Sequence, residues 1–259
     1  SVVYDLTKTP QMLYNHDSDI TRFKDRYICL WNANEKSIYE HKPGQMNYSS
    51  VSDDFINWSK PVKCFTEQAN AVNPQKEDTQ WQPTFINYHN NRLFCNWQGR
   101  IRGKPAHFVS YSDDGLKWTN TVQSTAPEGM KDVYAFPTQH GLLTSKDILV
   151  FPISLCNEKE FWKTKHAAVL ISYDKGKSWQ WSEPVEAVKW SQIGQDCSTF
   201  NGDDHIKLWE PTVFERSDGN IGMLIRNLTK KEWNIRSEHM MLYAESKDDG
   251  KTWSKAVPV

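Results

Sequence analysis

The sequence predicts an all-β fold, a β-propeller of four-stranded antiparallel blades with Asp-box turns, on three observations. A short phrase that ends in tryptophan occurs four times in the 259 residues. Its aspartates recur at intervals of 60, 61 and 74 residues, a period that suits one four-stranded sheet per repeat. Two apolar stretches joined by a polar turn precede each copy, as in a hairpin. The copies span residues 51–58, 111–118, 172–179 and 246–253, with the aspartates Asp53, Asp113, Asp174 and Asp248.

The phrase is typical of a tight hairpin turn. An aspartate accepts backbone N–H groups, a glycine adopts positive φ, and a tryptophan anchors the turn. Copies three and four match the Asp-box motif, Ser-x-Asp-x-Gly-x-Ser/Thr-Trp, at every fixed position. Copy two has Tyr111 in the serine position and Lys117 in the seventh, and copy one also has Phe55 in place of the glycine. We interpret the four aspartates as structural residues that brace hairpins.

The strands of each blade follow from the position of the motif. A third strand leads into the motif, as at residues 107–111, and a fourth follows it, as at residues 253–257. We expect a single propeller domain over residues 1–259 that is incomplete at its C terminus, because four blades rarely close a propeller. The predicted inner hairpins join residues 19–23 to 27–31, 84–88 to 93–97, 138 onward to 148–153, and 212–215 to 221–225.

Composition excludes several classes of protein. A net charge of −1 with 24% charged residues provides no basic field for nucleic acid, so we expect no nucleic-acid partner. No apolar run approaches the roughly 20 residues of a membrane span. No signal peptide precedes the polar N-terminal residues, so we expect the mature form of a secreted, periplasmic or cell-surface protein. Twelve tryptophans suggest repeated structural anchors and a surface on which carbohydrate stacks.

The five cysteines include no Cys-x-x-Cys pair, and their odd number rules out a fully paired set. Cys29 and Cys95 occupy similar places in two repeats, which predicts small buried core positions. A structural metal ion that draws on Cys197 and His205 is left open, although no spacing supports it specifically.

The propeller topology predicts the location of a ligand site. Propellers bind ligands where the first strands converge, so we expect the site among residues just before the first strands and just after the second strands. His140, which we place inside a first strand, is a further candidate for substrate contact. The other candidates are His16, Asn32, Asn34, Trp81, Gln98, Arg100, Arg102, Tyr134, Glu210 and Arg226.

A histidine, a tyrosine and arginines at one site suit β-elimination in a polysaccharide that contains uronic acid. Arginine neutralises the sugar carboxylate and lowers the cost of carbanion character beside it. His16 suits the base that removes the C5 proton, and Tyr134 the acid that protonates the leaving oxygen or a second base. This chemistry requires no cofactor, and its partner is an anionic polysaccharide.

Two other functions remain open at this stage. Sialoside hydrolysis by an exo-acting glycosidase uses three arginines, a tyrosine assisted by a glutamate, and an acidic proton donor. Arg100 or Arg102, Arg226, Tyr134 and Glu210 fit part of that pattern, but residues 16–20 replace the arginine-containing segment expected in the first blade. The third function is glycan binding without catalysis.

The Asp-boxes and their spacing resemble the sialidase superfamily. Several runs resemble more particularly the propeller-fold ulvan lyases. That resemblance implies six or seven blades, elimination at a uronic acid linked to sulfated rhamnose, and catalytic roles for His16, Tyr134 and Arg100 or Arg102. We therefore predict an ulvan-like polysaccharide lyase. The runs are residues 15–21, 31–34, 42–47, 81–83, 136–145 and 208–211.

Overall fold

A computed structural model shows an all-β chain that divides into two compact units, Ser1–Thr125 and Ala126–Val259. The described residues form strands arranged in four antiparallel sheets, two in each unit. No helix in the described part of the chain has the length and apolar character needed to cross a membrane. The structure describes residues 2–5, 11–65, 79–101, 104–123, 130, 133–157, 165–186, 189, 206–227 and 241–259.

The first unit consists of two four-stranded sheets, in each of which every strand pairs with the next along the chain. The repeat predicted from the tryptophan-ended phrase is therefore confirmed here as one sheet per copy. The first sheet contains β1 (Tyr14–Phe23), β2 (Arg26–Asn34), β3 (Gln45–Ser52) and β4 (Val62–Lys63), and the second contains β5 (Thr79–Tyr88), β6 (Arg92–Ile101), β7 (Lys104–Ser112) and β8 (Thr119–Gln123).

The two sheets of the second unit have the same strand order, but the first strand of one of them is divided. β9 and β10 both pair with β11, and residues 138–141 separate them. The strand predicted from Thr138 onward was wrong in this respect: Pro137 cannot donate to a ladder, and Gly141 weakens one. The strands are β9 (Val133–Pro137), β10 (Leu142–Leu143), β11 (Leu149–Asn157), β12 (Lys165–Ser172) and β13 (Gln180–Trp181), followed by β14 (Leu208–Glu215), β15 (Ile221–Asn227), β16 (Met241–Ser246) and β17 (Val257–Pro258).

A separate core lies within each unit. In the first unit aromatic rings fill it: Trp97 stacks between Phe65 and Phe108, with ring centroids 4.7 and 4.2 Å away. In the second unit the core is largely aliphatic, from Val150 and Val169 to Met223 and Leu242. Burial of these side chains supplies the main driving force for folding.

The cysteines behave as small apolar residues, as predicted. Cys29 and Cys95 are buried, Cys64 and Cys156 are also buried, and all four are free thiols. Burial raises the pKa of the Cys29 and Cys64 thiols to about 12, so both stay protonated at neutral pH. Cys197 and His205 lie outside the described residues.

The turns of the first two motifs use different aspartates from those predicted. Asp114 accepts hydrogen bonds from the backbone N–H groups of Leu116 and Lys117, at 2.8 and 2.7 Å, and from the Ser112 hydroxyl. Asp54 has the same role in the first motif. The sequence-based alignment was therefore one residue out of register for Asp53 and Asp113.

The physical reason is the length of the turn. The complete motifs contain two successive residues of positive φ, such as Lys175 and Gly176 at 63° and 81°. The first two motifs contain one, Phe55 at 63° and Gly115 at 74°. A turn that is one residue shorter places the bracing aspartate one residue closer to the tryptophan.

We expect Asp114→Ala to lower the free energy of unfolding by about 2 kcal/mol, because it removes an ionised acceptor from three donors. Asp113→Ala is the matched control. Asp113 forms an exposed ion pair with Arg92 at 2.6 Å, and such pairs contribute about 1 kcal/mol or less. Urea unfolding measures both changes, and equal losses would contradict the assignment of Asp114 to the turn.

Acid should weaken the turns. Burial opposes ionisation, but hydrogen bonds from backbone N–H groups and hydroxyls outweigh it and hold the pKa of Asp114, Asp174 and Asp248 below the ordinary value of 3.8. Since the unfolded chain binds protons more readily, this stabilisation is complete above about pH 4 and is lost as the pH falls further. We expect the urea midpoint of the parent protein to decrease when the pH is lowered below about 4. The midpoint of Asp114→Ala should decrease less. A urea midpoint that does not change with pH in that range would refute this role of the ionised aspartates.

Candidate functional site

The first strands of three sheets carry the same β-bulge. In β1 the register passes from His16 opposite Asn32 to Asp19 opposite Leu30, so two residues face one. The first strands β5 and β14 repeat this between Trp81 and Thr84 and between Trp209 and Thr212. The first bulge residue has positive φ each time: Asp17 (49°), Gln82 (53°) and Glu210 (50°).

The neighbouring sheet of the same unit holds the bulge in place. Asn32 Oδ1 accepts a hydrogen bond from the Gln82 backbone N–H at 3.2 Å. Ser154 Oγ accepts one from the Glu210 N–H at 2.7 Å. Asn32 and Ser154 are fully buried, so a polar contact for which water does not compete fixes the bulges at Gln82 and Glu210.

A cluster of five side chains surrounds the bulge of β1 in the first unit. His16 Nδ1 lies 3.0 Å from Asp17 Oδ1 and 3.5 Å from Glu40 Oε1. His41 Nε2 lies 3.2 Å from the same Glu40 oxygen, and the Tyr14 ring lies 5.8 Å from that of His16. We call Tyr14, His16, Asp17, Glu40 and His41 the histidine cluster.

The charges in the histidine cluster differ by residue. Burial, together with the negative charges of Glu40 and Asp17 and a hydrogen bond to Glu40, raises the pKa of Tyr14, so its phenol stays protonated at neutral pH. Burial opposes ionisation of Glu40, but hydrogen bonds and charge from His41 and His16 outweigh it and lower its pKa. The ionised carboxylate of Glu40 thus lies between the imidazoles of His16 and His41. The phenol of Tyr14 is a group that can donate a proton.

The loop that carries Glu40 and His41 is built on Asn34. The Asn34 amide donates to the carbonyls of Lys42 and Pro43 and accepts the N–H groups of Lys36 and Ser37. The ring of His41 stacks on Trp81, with centroids 5.0 Å apart. Asn34, predicted to bind substrate, is buried and fully engaged in holding this loop.

A cavity of about 560 Å³ opens beside His16. Its lining includes the apolar side chains of Trp31 and Cys29 and residues 2–4. The Trp31 indole N–H donates to Asn15 Oδ1 at 3.0 Å, which fixes the ring. An apolar wall with a few polar groups at one end is a common form of ligand site.

The second unit places an ion pair at the corresponding bulge of β14. Arg226 Nη1 donates to Glu210 Oε2 at 2.6 Å, and both side chains are about half-exposed. We call Glu210 and Arg226 the arginine pair. Its guanidinium is a permanent cation whose planar fork suits a carboxylate.

Buried aromatic residues support the arginine pair from below. Trp209, next to Glu210, lies 5.2 Å from the ring of Phe136. The buried Lys165 ammonium lies 3.5 Å from the centroid of the Trp209 ring, a cation–π contact. Tyr134 belongs to the same group, with its ring 5.7 Å from Phe136.

The predicted site residues are divided between the two units. His16, Asn32, Trp81, Gln98 and Arg100 belong to the first unit. Tyr134, His140, Glu210 and Arg226 belong to the second, and Arg102 lies outside the described residues. Catalysis by His16 with Tyr134 and Arg100 stays a prediction.

Their surroundings differ widely. Trp81, Gln98 and Tyr134 are buried, whereas His16 is 54% exposed. His140 is exposed and lies between β9 and β10, so its placement inside a strand was wrong because that strand is divided.

Sequence reasoning missed Tyr14 and Glu40. Tyr14 precedes the residue taken as the start of the site, and the alternation of Tyr14 and His16 along β1 was the signal that could have found it. Glu40 lies in a loop between strands, where no periodicity applies. Its neighbour His41 was the available hint.

Comparison with known proteins identifies the type of fold. The family described as "BNR repeat-like domain" matches residues 45–259, and no curated protein matches the chain. The Hadza microbial sialidase Hz136 has a TM-score of 0.69 at 13% identity, over 95% of this chain and 47% of its own.

Two further enzymes show the same likeness. The leech intramolecular trans-sialidase has a TM-score of 0.70 at 12% identity, over 100% of this chain and 53% of its own. The NanB sialidase from Streptococcus pneumoniae has a TM-score of 0.68 at 13% identity, over 100% of this chain and 54% of its own. The chain thus spans about half the length of these relatives and shares the fold of the sialidase superfamily. The finer resemblance to ulvan lyases stays a prediction.

We expect Ser154→Ala to lower the free energy of unfolding by about 1–3 kcal/mol, because it leaves the partly buried Glu210 N–H without its acceptor. Ser145→Ala is the matched control, since the Ser145 hydroxyl donates to Glu215 on the surface, where a change within about 0.5 kcal/mol is usual. Chemical denaturation checks both variants. A Ser154 variant as stable as the control would show that the tether does not hold the bulge.

Proposed function

The chain belongs to the BNR repeat-like domain family, and from this membership and the geometry of its sites we propose that it is part of an enzyme that cleaves an acidic glycan. The observation that carries the proposal is the arginine pair. Arg226 is a half-exposed permanent cation at the end of a strand, held by Glu210 at 2.6 Å. Sugars with a carboxylate are the glycans that such a group recognises.

The first candidate reaction is hydrolysis of sialidase type by an exo-acting glycosidase. The structural relatives are sialidases and a trans-sialidase, and the leech enzyme is described in complex with 2,7-anhydro-Neu5Ac, an acidic sugar. In this reaction Arg226 binds the sugar carboxylate. Glu210 orients the guanidinium through its contact at 2.6 Å. These relatives favour hydrolysis over the lyase predicted from the sequence.

The second candidate is β-elimination of an ulvan-like polysaccharide, which the histidine cluster favours. The first sheet presents His16 where an arginine-containing segment would suit sialoside hydrolysis. Asp17 Oδ1 lies 3.0 Å from His16 Nδ1 and orients the imidazole, so that the other ring nitrogen, Nε2, is the base. Tyr14 keeps its proton at neutral pH and is a second candidate for the acid, because it lies in the same cluster as His16. Tyr134, predicted from the sequence, is the other candidate. Arg100 remains the proposed partner of the uronate carboxylate.

Both reactions act on glycan chains that are found outside the cytoplasm. A secreted, periplasmic or cell-surface location is therefore part of the same proposal. The substrate carries negative charge in either case. Neither reaction calls for a cofactor.

One assay separates the two reactions. The protein is incubated with a sialylated glycan and, separately, with a uronate-containing sulfated polysaccharide. Hydrolysis releases free sialic acid, whereas elimination produces an unsaturated uronate that absorbs in the ultraviolet. We expect Arg226→Met to lower kcat/KM for hydrolysis about 10²–10³-fold, the usual loss when a charge-stabilising donor is removed.

Matched variants complete the test. Arg216→Met removes an exposed arginine that pairs with Asp218 in the β14–β15 turn at 3.3 Å, and it should keep full activity. His16→Gln should lower elimination about 10²–10⁴-fold, the usual contribution of a general base. Absence of both products would leave a glycan-binding protein without catalysis and would refute the proposed enzyme.

A further inference from the structure

Three side chains of the histidine cluster hold metal-ligand atoms close together. His16 Nδ1 is 3.0 Å from Asp17 Oδ1 and 3.5 Å from Glu40 Oε1, and one ligand atom from each of the three residues lies within 4.8 Å of the others. Ligands bonded at about 2.0–2.1 Å to a tetrahedral ion are about 3.3 Å apart. The observed separations therefore suit one ion with small side-chain adjustments.

Outer contacts orient the ligand at the centre of this group. His41 Nε2 donates to Glu40 at 3.2 Å, and Tyr14 also forms a side-chain hydrogen bond with Glu40. A carboxylate has about four lone-pair sites, so Glu40 can accept these bonds and bind an ion. Metal-binding carboxylates are commonly held by such neighbours.

We propose that His16, Asp17 and Glu40 bind one divalent transition-metal ion, for which Zn²⁺ is the best match. One imidazole and two carboxylates suit zinc, while Ca²⁺ and Mg²⁺ prefer ligand sets made of oxygen alone. Three protein ligands leave a coordination position open, and the His16 side chain is 54% exposed, so solvent reaches the site. An anionic oxygen can occupy this position. The assignment of that oxygen to a glycan rests on the proposed function, whereas the metal site itself is independent of it.

Zinc titration by calorimetry, with metal content per chain measured after dialysis, tests the site. We expect the parent protein to hold one more zinc ion per chain than Glu40→Gln or His16→Ala, or to bind that ion at least 10-fold more tightly. His41→Ala removes an outer partner and should weaken binding about 10–100-fold. A variant elsewhere in the same unit, His89→Asn, should bind as the parent does, because His89 lies in the β5–β6 turn at φ 48°, which asparagine tolerates.

Several results would overturn the proposal. One is that Glu40→Gln and His16→Ala retain the zinc content and zinc affinity of the parent. Another is that His89→Asn loses as much zinc affinity as these two variants, and a third is that calcium binds more tightly than zinc. Circular dichroism melts without metal check that the variants fold, and Glu40→Gln preserves side-chain shape if His16→Ala does not fold. Zinc binding without glycan cleavage would leave this inference standing and refute the proposed function; cleavage without zinc binding would do the reverse.

Discussion

The bulge in the first strand is the constraint on which both candidate sites depend. Positive φ is costly for a residue with a side chain, yet Asp17, Gln82 and Glu210 all adopt it. Such strain persists only where the surroundings fix the backbone. For Gln82 and Glu210 the surroundings are a buried polar side chain of the neighbouring sheet, Asn32 or Ser154. The strained residue then presents its side chain at the end of the strand.

The bulge also explains how similar sheets carry different chemistry. The residue before each positive φ is His16, Trp81 or Trp209, and all three occupy equivalent places in the ladder. Two indoles there are buried and support the loop or ion pair above them. A histidine in the same place is exposed and surrounded by carboxylates. The same β-bulge thus supports packing in two sheets and a polar cluster in a third.

The period of the repeats predicted the sheets well, because a four-stranded sheet with short turns needs a nearly constant number of residues. It could not predict the register of the first two turns. Asp53 and Asp54 are adjacent, as are Asp113 and Asp114, so residue type alone does not distinguish them. The choice depends on which carboxylate meets the N–H groups of the turn, and that is decided by the backbone.

The candidate site was predictable in part for a similar reason. His16 was predicted just before a strand at residues 19–23 and lies inside β1, because the strand begins earlier and continues through the bulge. Glu40 lies in a loop that Asn34 organises through four hydrogen bonds. Contacts between a strand and such a loop leave no periodic pattern in the sequence. The same holds for the contact of Lys165 with Trp209, which joins residues far apart in the chain.

The two sites carry different charges. In the histidine cluster Glu40 is ionised and Tyr14 is neutral, so the cluster repels a carboxylate. A bound divalent cation would offset that repulsion. The guanidinium of Arg226 remains charged at any physiological pH and attracts a carboxylate without a metal ion. Under the proposed function, recognition of an acidic sugar at the histidine cluster therefore depends on a bound metal ion, whereas recognition by Arg226 does not.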